Sequence, residues 1–74
     1  MQSEKERFEI LFSHEFEHNV THAQEFKELA EKAREMGENA VCADILAGVE
    51  QMNKANELFE AALEKLKGEK ARQR

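Results

Sequence analysis

Proline, tryptophan and tyrosine are absent from this 74-residue chain, which has one cysteine and three glycines. Without proline nothing locks the backbone out of helix, and few β-branched residues beside abundant Glu, Lys, Ala and Leu favour helix over strand. The lone Cys42 excludes an intramolecular disulfide. No apolar run opens the chain or spans a bilayer, so neither a secretory signal nor a membrane segment is expected, and cytoplasmic residence is the default. The formal net charge of -5 argues against a nucleic-acid-binding face, since phosphate contacts need clustered Lys and Arg. The short basic stretch from Lys67 to Arg74 reads as a solvated end.

Charges make up 36% of the residues and are dispersed rather than blocked, as on exposed helix surfaces. Ser3 followed by Glu6 fits a capping box and opens a first helix over about residues 3–36. Phe8, Leu11, Phe12, Phe16, Ala23, Phe26, Leu29, Ala30 and Ala33 recur along it at helical spacing. Gly37-Glu38-Asn39 combines a helix-ending glycine with a capping asparagine, a turn over 37–39. A second helix over about 40–67 carries Val41, Ile45, Val49, Met52, Ala55, Phe59, Ala62, Leu63 and Leu66, and Gly68 begins a frayed tail, 68–74. So short a turn makes the helices antiparallel neighbours. The expected fold is all-α, one domain, a two-helix antiparallel hairpin. A chain this small buries too little surface alone, and Phe16, Val20, Leu46 and Leu58 lie on or beyond the stripe flanks. A homodimer forming a four-helix bundle is the simplest closed assembly.

Rotating helix one at about 100° per residue places Glu15, Asn19 and His22 near the middle of its apolar stripe, with His18 at the edge. An unpaired neutral polar group in a core costs roughly 1–3 kcal/mol, and a charge more. Glu15-x-x-His18 and His18-x-x-x-His22 set a carboxylate and two imidazoles on neighbouring turns, where they can converge on one cation. That donor set suits zinc, nickel, cobalt, iron or manganese. Counting outward from the turn brings Asn53, Asn56 and Glu57 level with this cluster. The expectation is a metal site of Glu15, His18 and His22, with Asn19, Asn53 and Asn56 orienting the imidazoles and His14 and Glu57 as candidate outer ligands. The alternative is a metal-free polar layer that fixes helix register, as a core asparagine does in coiled coils.

His14-Glu15-Phe16-Glu17-His18 also matches H-E-x-x-H, the zinc-protease helix. A protease needs a further ligand and a substrate cleft, and two helices with no later histidine supply neither. No catalytic residue is assigned. Cys42 and the phenylalanines read as packing.

His18-Asn19-Val20-Thr21-His22-Ala23, with Phe26, Ala30-Glu31-Lys32-Ala33, Met52, Ala55-Asn56 and Ala62-Leu63, resembles a family of small prokaryotic helical hairpins with no assigned activity. The resemblance spans most of the chain and implies the hairpin, with His18, Asn19, His22 and Asn56 as pattern positions. Glu15-x-x-His18 is also similar to an element of ferritin-like and encapsulated-ferritin hairpins, whose dimers build di-iron sites. That likeness implies an iron-dependent oxidase with Glu57 as the second glutamate, although the helix order differs.

Overall fold

The computed structural model describes residues 3–72, with side chains to Gly68. Two helices, α1 (Glu4–Glu35) and α2 (Asn39–Arg72), pack against each other as an antiparallel hairpin. The α1 start is the expected capping box: Glu6 N–H donates to Ser3 Oγ at 3.1 Å, and Ser3 N–H donates to Glu6 Oε1 at 3.0 Å. Glu4 and Glu6 at this end and Lys32 and Arg34 at the other complement the helix dipole. No membrane-length apolar helix occurs among the described residues.

Gly37, at φ +81°, is the one residue described with positive φ. Its N–H reaches Arg34 O at 3.0 Å while Glu38 N–H reaches Ala33 O at 2.9 Å, the paired bonds of a Schellman turn. Cys42 N–H then donates to Glu38 O at 3.0 Å, so Glu38 occupies the cap position and Asn39 lies inside α2, one residue earlier than expected. The other boundary differs more. Helix α2 runs through Gly68 to Arg72, because a glycine ends a helix by turning left-handed and Gly68 keeps a negative φ. Residues 73–74 of the expected tail, and side chains beyond 68, lie outside the described residues.

Near the turn the helices meet through small side chains: Ala30, at 0% exposure, packs with Ala33 and Cys42 against Ile45. Cys42 is therefore a packing residue. Toward the open end the spacers grow, with Phe8 tilted on Phe12 at 5.9 Å and Phe12 edge-on to Phe59 at 6.1 Å. The hairpin measures 57 × 20 × 12 Å with a radius of gyration of 16.9 Å. A compact chain of this length has about 11 Å. A single helix is roughly 10–12 Å across, so the molecule is one layer thick and no large side chain described is fully buried.

Helix approach at Ala30 leaves no room for a longer side chain. Ala30→Leu is expected to cost about 1–3 kcal/mol by overpacking, read as a lower urea midpoint at unchanged slope. Gly37→Ala forces a Cβ into the left-handed region and should cost about 1 kcal/mol despite the open space around that position.

Candidate metal site on helix one

The seam of α1 against α2 follows Phe12, Phe16, Asn19, Ala23, Ala30 and Ala33, all buried or half-buried. At about 100° per residue, Glu15 and His22 sit roughly 60–80° off the Ala30 line and His18 roughly 120° off it. All three are exposed on the hairpin. The expected place of Glu15 and His22 near the middle of the buried stripe is thus corrected: small residues set the contact line, and these two lie along its flank, with His18, expected at the edge, farther out. Asn19 is half-buried and Asn56 buried at 8% exposure, inside the seam as expected, whereas Asn53 and Glu57 are exposed.

His14, His18 and His22 form a ladder one turn apart, with successive ring centroids separated by 5.3 Å. They share a shallow concavity with Glu17, Thr21 and Glu25; Glu15 does not line it. His22 Nδ1 lies 3.0 Å from Glu25 Oε1. That bond orients the ring through Nδ1 and does not engage Nε2, the arrangement that a carboxylate gives to a metal-binding imidazole. Glu25 went unnoticed in the sequence reading, and its signal was the i+3 spacing from His22. As an exposed pair it adds little stability by itself.

The local charge is one-sided. Between Phe8 and Phe26 the sequence contains Glu9, Glu15, Glu17 and Glu25 but no Lys or Arg. On α2 at this level, Lys54 is drawn to Glu50 at 3.8 Å. The imidazoles are therefore the only groups on this stretch of α1 that can carry positive charge. Closer to the turn, Arg34 is bonded to Glu31, and that hydrogen bond together with the carboxylate charge raises the guanidinium pKa. Among the described residues, no three His, Cys, Asp or Glu side chains of one chain are arranged to hold an ion.

Fold and site define an antiparallel helical hairpin with a histidine ladder on an open face. A family model described as a domain of unknown function (DUF8180) matches residues 8–66, and the chain belongs to that family. The His18–Ala23 segment and Asn56 fall inside the matched span. No curated protein and no solved structure matches the chain, and ferritin likeness is not shown by these comparisons.

Asn56 is a polar side chain in the contact line between the helices, and among the described residues no buried side-chain N or O lacks a partner. Replacing it by an apolar residue of similar size removes a polar group from that line, the kind of group that sets register in coiled coils. Asn56→Leu is expected to raise the melting temperature, about 4–8 °C per kcal/mol gained in a chain of this size, and to broaden the assemblies seen by sedimentation. A lower melting temperature with one sharp species would show that Asn56 stabilises rather than specifies.

Proposed function

We propose that the protein is a small transition-metal-binding helical hairpin that works as a homodimeric four-helix bundle, with His18 and His22 as metal ligands. The observation that carries this reading is the histidine ladder itself. Two imidazoles one turn apart can chelate one cation through ring nitrogens, with Glu25 orienting His22. Glu17 and Glu25 line the concavity with them and no Lys or Arg does, so a bound cation also relieves like-charge repulsion. Glu15 and His14, on adjoining positions, are further donors within reach of side-chain rotation. Imidazole and carboxylate donors suit zinc, nickel, cobalt, iron or manganese. Binding or handling the ion requires no catalytic residue.

A second reading has its own support. Asn56 in the seam and Asn19 beside it are polar residues that fix register without metal, and no single chain holds three ligands together. On that view the hairpin is a structural or adaptor module and the histidines are a polar layer between paired copies.

Metal analysis of untagged protein, stripped with chelator and reloaded with zinc or nickel, separates the two. The metal reading expects retention by the wild type and loss in His18→Ala and His22→Ala, with the wild-type melting temperature falling on chelation. An ion at one hundred times its dissociation constant adds about 2.7 kcal/mol to stability, well above the scatter of a melt. Equal retention in all three proteins, or none in the wild type after refolding with excess metal, sinks the metal site and favours the structural module.

A further inference from the structure

Both helices present half-buried or exposed apolar side chains on one face of the hairpin, the face where Phe26 lies beside Gly48 and Met52. On α2 this face repeats every seven residues in two interleaved rows. One row is large: Ile45, Met52, Phe59, Leu66. The other is smaller: Val41, Gly48, Ala55, Ala62. The midpoint of the rows falls between Asn53 and Lys54. Reversing a second copy about that midpoint sets Met52 against the partner's Ala55, Phe59 against the partner's Gly48, Ile45 against the partner's Ala62, and Leu66 against the partner's Val41. Every large residue meets a smaller one, as close packing of facing rows requires. Gly48 has nothing within 4 Å of where a Cβ would stand, and it opens a groove between Phe26, Ile45 and Met52, opposite Phe59 in this reversed register.

The same face of α1 is apolar at its ends and polar in its middle. Phe8 and Leu11 flank one side, Leu29 and Met36 the other, and all four are more than half exposed. Between them lie Glu15, His18, His22 and Glu25, centred on residue 20, while the midpoint of α1 falls between Asn19 and Val20. The facing of Phe12 with Phe59 and of Ala30 with Cys42 puts residue 20 level with residues 51–52, about two residues from the midpoint of the α2 rows. One two-fold axis perpendicular to the helices can therefore pass within about half a turn of both centres.

We infer that two chains pair face to face about this axis, α1 on α1 and α2 on α2, each pair antiparallel, and that His18 and His22 of both chains form one four-imidazole site for a divalent transition ion. This rests on the metal-binding reading and adds the partner, the register and the stoichiometry. The competing arrangement, α1 against the partner's α2, buries Glu15, His18 and His22 against Met52 and Ala55, where nothing satisfies them. Stacking like on like sets the polar middle of α1 against itself and the apolar rows of α2 against each other. It opposes Leu11 to the partner's Leu29 and His18 to the partner's His22. It also sets the acidic first turn, Glu4 and Glu6, beside the basic last turn, Lys32 and Arg34, of the partner. Two imidazoles from each chain complete the four-coordinate shell that one chain lacks, and Glu25 orients His22 in both.

Native mass spectrometry with Zn²⁺ on the untagged chain should show one zinc per two chains, and zinc should tighten dimerisation at least tenfold, an increment that His22→Ala abolishes. Glu25→Ala should weaken zinc binding about 10–100-fold while leaving the dimer intact. In a Cys42→Ala background, mixed Leu11→Cys and Leu29→Cys chains should form the 11–29 disulfide in preference to 11–11 or 29–29. Ala55→Met should weaken dimerisation at least tenfold, and the swap Met52→Ala with Ala55→Met should restore most of it; both positions are half-buried in the hairpin, so the melting temperature of each variant is read beside its dimerisation. One zinc per chain on a monomer overturns the shared site and leaves the metal-binding function standing. Same-residue disulfides, or a swap no better than Ala55→Met alone, overturn the register. No zinc uptake at all overturns both the shared site and the metal reading.

Discussion

Everything in this structure follows from how closely the two helices approach at Ala30, Ala33 and Cys42. Small side chains at the contact let the helices meet tightly, but they bury little apolar area each, and burial contributes only about 25 cal/mol per Å². The hairpin therefore gains a well-defined turn and register without gaining a core. Its 12 Å thickness is the geometric form of that shortage: a single layer has an inside on one line only, and domains are ordinarily built from two packed layers.

The polar residues are distributed in keeping with that constraint. Asn56 and Asn19 lie in or beside the contact line. Glu15, His18, His22 and Glu25 sit on the uncovered face, where water satisfies them in the single hairpin. A polar middle between apolar ends is costly on a face that must be covered unless the cover brings matching polar groups or a cation. The histidine ladder and the lack of Lys and Arg on that stretch are the features on which the metal-binding proposal rests.

Much of the hairpin was legible in the chain. The Ser3–Glu6 capping box, the break at Gly37, the helical spacing of the apolar residues and the packing role of Cys42 all stand in the structure, because each depends on interactions within a few residues or on simple periodicity. Two local signals misled. Asn39 looked like a cap but entered the helix, since the Schellman bonds closed the turn at Glu38 first. Gly68 looked like a stop but kept helical φ, because glycine permits a left-handed turn without imposing one.

The site was legible only in part. His18 and His22 were found by spacing, and Asn56 was rightly placed toward the core, yet Glu15 and His22 were assigned to the middle of a stripe that proves to be its flank. A helical wheel shows one broad apolar sector over more than 100°, and nothing along the chain tells which line within it touches the neighbour. The tertiary structure decided that line, because the smallest side chains allow the closest approach and so draw the contact toward Ala23, Ala30 and Ala33. The sequence by itself determined two capped, antiparallel helices, since those features are set by short-range bonding. Only the packing decided which polar residues lie in the seam and which stand on the open face, since that depends on the relative size of side chains brought together from opposite ends of the chain.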